Sequence, residues 1–410
     1  MNEHNLVPNI RFNGFDDEWT NKKFINFLAK IIDFRGKTPK KLGLSWSNNG
    51  KYRALSAINV KNGFIDKNID VHFGNYDLYK KWMGNTELEK GDILFTTEAP
   101  MGNIAIINDN DKYILSQRTI AFRVNAKNIN GSFLLYRLNT VSTKNKLMRL
   151  STGGTAQGIS QKNLSYLIIS VSNSIKEQQK IGDFFSKLDK LLDLQQQKID
   201  KLELLKKALL QKLFPKDNSK IPELRFKGFK DEWQEKKLSY VVEIIMGQSP
   251  SSINYYDTPI ENSMILIQGN ADIKHHNVKP RVWTTQITKI TIPKDVLLTV
   301  RAPVGEVAKN KYEAVIGRGM AALRGNDFLY YNLEKLKMIG HWERLSTGST
   351  FESISSNDIR DTKIKMPSYK EQKRVYSLFS KVDQLIELEN KKLHNLQQVK
   401  KCLLQNMFVE

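Results

Sequence analysis

A chain of 410 residues has room for two or three domains, and with 40% apolar and 10% aromatic residues it can build real cores, which excludes a disordered polymer. The net charge of +21 is spread, +10 over residues 1–174, +3 over 175–214, +6 over 215–370 and +2 over 371–410, so it is no basic tail; a folded body facing a polyanion, DNA or RNA first, is favoured. The single cysteine, Cys402, excludes a disulfide framework and a four-cysteine zinc site, and without a long apolar run or a signal peptide the chain reads as cytoplasmic, with no membrane partner.

Read in order, the chain is written twice. P-N-I-R-F-N-G-F-D-D-E-W (Pro8 to Trp19) returns as P-E-L-R-F-K-G-F-K-D-E-W (Pro222 to Trp233), 214 positions on. G-K-T-P at Gly36 returns as G-Q-S-P at Gly247, now 211 on, and G-D-I-L-F-T-T-E-A-P-M-G at Gly91 as K-D-V-L-L-T-V-R-A-P-V-G at Lys294, 203 on. I-A-F-R (Ile120 to Arg123) matches A-A-L-R (Ala321 to Arg324), S-T-G-G-T at Ser151 matches S-T-G-S-T at Ser346, and Glu177 to Phe214 matches Glu371 to Phe408 at an offset of 194. An offset that only falls is the signature of one duplicated unit with deletions in its second copy.

Each copy opens with about 160 residues of short strand-like apolar runs cut by Gly, Pro and Asn, which reads as a mixed α/β globule. A Leu-, Lys- and Gln-rich stretch follows and reads as one long helix. The expected organisation is therefore globule 1–174, helix 175–214, globule 215–370 and helix 371–410, an α+β chain whose two units are related by a pseudo-two-fold axis and joined by two antiparallel coiled-coil helices. The heptad seam runs through Ile181, Phe185, Leu188, Leu192, Ile199, Leu202 and Leu209, and recurs as Val375, Phe379, Val382, Ile386, Leu393, Leu396 and Leu403; these residues are expected at a partner-helix interface. Polar steps break both seams at the same places, Gln195 and Lys206, then Glu389 and Lys400. Pairing Lys206 with Glu389, and Gln195 with Lys400, would lock one register. Further apolar residues, among them Leu191, Leu194, Leu205, Leu385, Leu388 and Val399, make the stripe wide enough for a bundle with helices from elsewhere. At ~1.5 Å per residue such a helix is ~57 Å long, enough to serve as a ruler between grooves ~34–36 Å apart.

The sequence shows no phosphate loop, no dinucleotide fingerprint, no zinc-protease or hydrolase elbow and no metal-ligand spacing among its histidines. No catalytic residue and no metal site is expected. Asp92 and Asp295 read as turn acids before a strand, and Trp19 and Trp233 as core anchors. The candidates for DNA contact are Lys37, Lys40, Lys41, Lys51, Arg53 and Arg118 in the first copy. In the second they are Gln248, Ser249, Asn254, Lys274, His275, Arg281, Arg301 and Arg318. Arginine and lysine suit guanine edges and phosphates, whereas Gln, Asn and Ser suit adenine edges or backbone.

Together the R-F-x-G-F-x-D-E-W start, the G-x-[ST]-P turn, the E-Q-Q-K-I and E-Q-K-R-V helix starts and the L-L-Q-K-L-F and L-L-Q-N-M-F ends resemble the specificity subunit of type I restriction–modification enzymes, across essentially the whole chain. The resemblance implies two target-recognition domains, each reading half of a split site in double-stranded DNA. It implies long helices that dock two methyltransferase subunits and, through them, restriction subunits. S-adenosylmethionine, ATP and Mg are then expected on those partners and no cofactor on this chain. A recognition subunit of a fused type IIB-like system would share the architecture, and a basic coiled-coil scaffold without sequence preference is the blandest alternative.

Overall fold

The computed structural model describes residues 6–154, 157–216, 218–346 and 352–409. Most of the second S-T-G-S-T tract and Thr155 of the first thus lie outside the described residues. By contact the chain divides into a first unit, residues 1–196 with 391–410, and a second unit, residues 197–390. Both divides fall inside the long helices, Ile175–Lys212 and Tyr369–Asn406.

In the first unit the strands Leu28–Asp33, Thr119–Val124, Ile93–Thr96 and Ile104–Ile106 form one antiparallel sheet in that spatial order, with Ile93 opposite Phe122 and Leu94 opposite Ala121. A smaller sheet sets Tyr52–Leu55 between Phe73–Gly74 and Tyr113–Leu115. The inner strands are apolar on both faces because each face has its own core. One face, through Leu94, Ala105 and Ala121, joins Trp82 and Leu115, whereas Phe95 and Phe122 face a helical core with Trp19, Phe133 and Phe185. That second core is completed by the chain's end: Phe408 meets Phe185 at 5.9 Å, Trp19 at 6.0 Å and Phe133 at 5.3 Å between ring centroids.

The second unit repeats this plan with more strands. Its main sheet runs Glu243–Met246, Met320–Arg324, Val296–Thr299, Val307–Lys309, Asn277–Val278, Ile273–Lys274, and its companion has five strands around Met264–Ile267. Trp233, Phe328, Phe379 and Phe214 stand where Trp19, Phe133, Phe185 and Phe408 stand in the first unit, with Phe214 at 5.8 Å from Trp233 and 5.4 Å from Phe328.

Several of the recurring motifs are structural in both copies. Gly14 and Gly228 adopt φ of +88° and +97°, which favours glycine. Arg11 reaches Asp17 O and the buried Glu177 (Nε–Oε1 2.7 Å), and Arg225 reaches Asp231 O and Glu371 (2.8 Å). Gln178 and Gln372, the next residues of the E-Q helix starts, accept from Asn130 N and Asn326 Nδ2 at 2.8 and 2.7 Å and so tie each long helix to a shorter one. Asp92 and Asp295 accept the backbone N–H of Glu89 and Ile292 as turn acids, and each also pairs with an arginine that the sequence did not assign to it, Arg123 at 2.8 Å and Arg324 at 3.2 Å.

Two expectations for the helices are corrected. First, the seam does not face a helix throughout: Ile181 and Phe185 are buried in the first globule, and Val375 and Phe379 in the second, because the first turns of each helix are fused to a globule that claims their apolar stripe. Six of the residues that widen the stripe are left exposed, Leu191, Leu194 and Val399 in the first unit and Leu205, Leu385 and Leu388 in the second, and Leu204 is exposed beside them. Second, the register differs. Lys206 pairs with Asp383 (2.7 Å), Glu389 with Lys198 (2.5 Å) and Lys400 with Asp189. In the second unit the 206–383 and 198–389 pairs run in opposite chain directions, so the helices there are antiparallel. Asp383 wins Lys206 over Glu389 because Tyr331 (2.8 Å) and Lys309 (2.9 Å) already position its carboxylate. Burial pushes that carboxyl up, but the two lysines outweigh it and hold it below the usual range. In the first unit Tyr136 (2.8 Å) and Lys400 likewise contact the Asp189 carboxylate.

Candidate nucleic-acid interface

In each unit a tight hairpin follows a central strand of the main sheet, and it is built bond for bond the same way. Thr96 Oγ1 donates to Pro100 O (2.5 Å) and accepts from Asn103 N; Thr299 Oγ1 donates to Pro303 O (2.7 Å) and accepts from Glu306 N. Gly102 N and Gly305 N close the turns on Thr96 O and Thr299 O, both at 2.9 Å, at φ of +88° and +87°. Thr97 N then donates to Arg118 O at 2.8 Å, and Val300 N to Gly319 O at 2.9 Å, so the Arg118 and Arg318 loops lie beside the hairpins. The G-Q-S-P turn joins this cluster: Gln248 N donates to Ile316 O, and Ser249 Oγ accepts Arg318 N at 3.0 Å. Gly247 must be glycine there, since a Cβ would lie 2.1 Å from Gly317 O.

The side chains above this common framework differ. In the first unit Arg118, at φ +61°, lies 3.3 Å from Glu98 on the hairpin. Nearby, Arg35 grips Asp33 (2.6 Å), which also accepts from Gln161 (2.7 Å). Burial raises the Asp33 carboxyl, yet Arg35 and Gln161 outweigh it and leave it below the usual range. In the second unit Arg301 takes the hairpin position and Arg318 the adjoining loop, both exposed.

The other candidates divide into free and occupied. Lys40, Lys41 and Lys51 are exposed, although Lys41 also donates to Gly36 O. Lys37 is turned inward onto Trp82 O, and Arg53 onto Lys67 O (2.6 Å) with its guanidinium over Phe73, so these two serve the globule. Asn254 and Ser251 N share the side-chain oxygen of Gln286. Arg281 stands 3.0 Å from the buried Asp272 with half its side chain exposed. Lys274 and His275 sit at a hairpin tip where His275 and His276 both have positive φ, a turn rather than a strand.

Several neighbours escaped sequence reasoning: Glu98, Arg35, Gln161 and Gln286, and the tip Lys61–Phe64. That tip corresponds to Lys274–Asn277, since Asn59 Oδ1 accepts Ser56 N (2.8 Å) as Asp272 Oδ2 accepts Gln268 N (2.7 Å). At a spacing of 213 these acceptors fall outside the falling series of motif offsets, 211 at Gly36 and 203 at Gly91, so comparison of motifs passed over them. Among the described residues no group of three or more His, Cys, Asp or Glu is placed to hold a metal ion, and no helix is long and apolar enough to cross a membrane.

The sequence profile of the type I restriction modification DNA specificity domain matches residues 16–204 and again residues 230–398. The chain belongs to this family. A similar specificity subunit, that of the MjaX type I restriction enzyme of Methanocaldococcus jannaschii, is 28% identical over 357 residues, 83% of each chain. The MjaVIII specificity subunit of the same organism is 21% identical over 95% of this chain and 91% of its own. The fold matches the type I S subunit from M. genitalium with a TM-score of 0.64 over 98% and 99% of the two chains at 17% identity. A chain from a study of type I R-M complex assembly matches with a TM-score of 0.59 over 95% and 97% at 21% identity. In this specificity family the two matched domains fall one on each written copy, which accounts for the duplication.

Proposed function

We propose that this chain is the DNA-reading subunit of a type I restriction–modification complex, each unit reading one half of a split duplex target, with methylation and cleavage carried by partner subunits. The observation that carries this reading is one hydrogen-bonded framework built twice while the exposed side chains on it diverge. A protein selecting two different half-sites needs that combination, because the framework positions and the side chains specify. Arg118, Arg301 and Arg318, with Lys40, Lys41, Lys51 and Lys274, supply the positive surface for phosphates and base edges.

The exposed leucines on the helices are the proposed docking surface for two methyltransferase subunits, which would hold S-adenosylmethionine, and restriction subunits with ATP and Mg would join through them. Leu191, Leu194 and Leu205 recur 194 positions on as Leu385, Leu388 and Val399, and all six are exposed, so the same apolar face is offered twice. Mapping methylated adenines in cells carrying the chain with its methyltransferase, and in cells lacking it, tests the reading. A split motif that vanishes with the chain supports it, whereas an unchanged pattern refutes it. Native mass spectrometry should show two methyltransferase copies, and Leu194→Asp with Leu388→Asp should abolish both.

A further inference from the structure

The two hairpins after the central strands carry opposite charges at one equivalent position. Glu98 and Arg301 are 203 residues apart, the offset of the motif around them. Each is bracketed by the same contacts: Ile159 N donates to Thr97 O (3.0 Å) as Ile354 N does to Val300 O (3.1 Å), and Glu98 bridges Gly158 as Arg301 bridges Ser353. With backbone, turn and neighbouring strand held alike, the two hairpins differ chemically at this outer residue, an acceptor in one and a donor in the other. Glu98 is about half exposed and is aligned by Arg118, and Arg35 adds a second positive charge beside it. A carboxylate kept at the rim of a basic surface is costly beside phosphates unless it accepts a hydrogen bond there, and the donors that DNA bases offer in the major groove are the amino groups of cytosine and adenine.

We propose, resting on the reading above, that Glu98 and Arg301 are equivalent specificity-determining residues that read their half-sites with opposite hydrogen-bond polarity. Glu98 accepts from a cytosine or adenine amino group and holds Arg118 beside it. Arg301, with Arg318 beside it, donates to the O6 and N7 acceptors of guanine.

The test uses the full chain with its methyltransferase partner. A random duplex library defines the wild-type target, and competitors with each base pair replaced in turn are then measured for wild type, Glu98→Gln, Arg301→Gln and the reversal Glu98→Arg. Glu98→Gln should erase discrimination of about tenfold or more at one position of one half-site and leave the other half unchanged. Arg301→Gln should do the same at a guanine of the other half, and Glu98→Arg should move its position toward guanine. Discrimination retained by Glu98→Gln and Arg301→Gln, or a loss equal for all sequences with a shallower salt dependence, overturns the proposal and marks these residues as bystanders or phosphate contacts. A wild-type library without a split target sinks the parent reading and this one with it, an outcome distinct from an intact target that the variants do not alter.

Discussion

Set side by side, the two units differ least where they hold themselves together and most where they meet solvent. The quartet Trp19, Phe133, Phe185 and Phe408 has its equal in Trp233, Phe328, Phe379 and Phe214, and the Arg11–Glu177 pair in Arg225–Glu371. Around the long helices the match begins to break. Asp189 takes Tyr136 and Lys400, but Asp383 takes Tyr331, Lys206 and also Lys309, whose counterpart in the first unit is the apolar Ile106. Beside it Glu334 is buried with His276 Nδ1 at 3.6 Å, where the first unit has Asn139. At the hairpins the charge itself is reversed. Duplication thus kept the apolar and hydrogen-bonded frame, whose loss would unfold a unit, and released the outer side chains to diverge.

The largest effect should come from the shared quartet. Phe408→Ala removes a ring that three aromatics of the first unit enclose, at a cost of about 3–5 kcal/mol. Amide hydrogen exchange should show protection lost in residues 6–196 and kept in the second unit, and Phe214→Ala should give the reverse pattern. Equal loss in both units from either variant would break the comparison.

A smaller effect separates the two aspartates. Asp383→Asn leaves two lysines and a tyrosine without their carboxylate and should cost roughly 1–3 kcal/mol, whereas Asp189→Asn, with one lysine and one tyrosine, should cost less. The Asp383 carboxyl is held below its unfolded range, so its contribution is present at neutral pH and disappears as pH falls below about 4. Denaturant melts of the variant should therefore converge with wild type in acid, and a gap that persists at low pH would contradict the assignment.

The smallest effect is a gain. Burial pushes the Glu334 carboxyl above its usual range, and His276, Lys206 and Lys337 only partly offset that, with Asp383 adding to it. Because the folded state holds this proton more tightly than the unfolded one, Glu334 lowers stability as pH rises above the usual carboxylate range. Glu334→Gln should melt at the wild-type temperature or higher at pH 8 and flatten the pH dependence above the usual carboxylate range, while Asn139→Asp should lower the melting temperature of the first unit. A Glu334→Gln variant that is less stable than wild type at pH 8 would assign Glu334 a supporting contact instead.

Much of this was legible from residues alone. The duplication follows from comparing the sequence with itself, and the long helices, the tryptophan anchors and the turn acids Asp92 and Asp295 follow from local pattern, since each of these depends on neighbours within a few positions. What escaped depends on folding over distance. The L-F and M-F helix ends are visible as a repeat, but nothing local says that Phe408 completes the core holding Trp19. The Lys206–Asp383 register turns on Tyr331 and Lys309 positioning an acid that heptad counting passes over. Lys37 and Arg53 look like surface bases by composition and are drawn inward by carbonyls and rings that only the fold supplies. The polarity of the hairpins was present as E-A-P against R-A-P, and it gains meaning once the two backbones are seen to be bonded alike.

The most direct test of the central claim, one frame reading two different sequences, is selection of the wild-type chain with its proposed methyltransferase partner on a random duplex library. Two conserved tracts of unlike sequence, separated by a spacer of constant length, are the expected result. A single continuous tract, two identical inverted halves, or no enrichment over the input would contradict it.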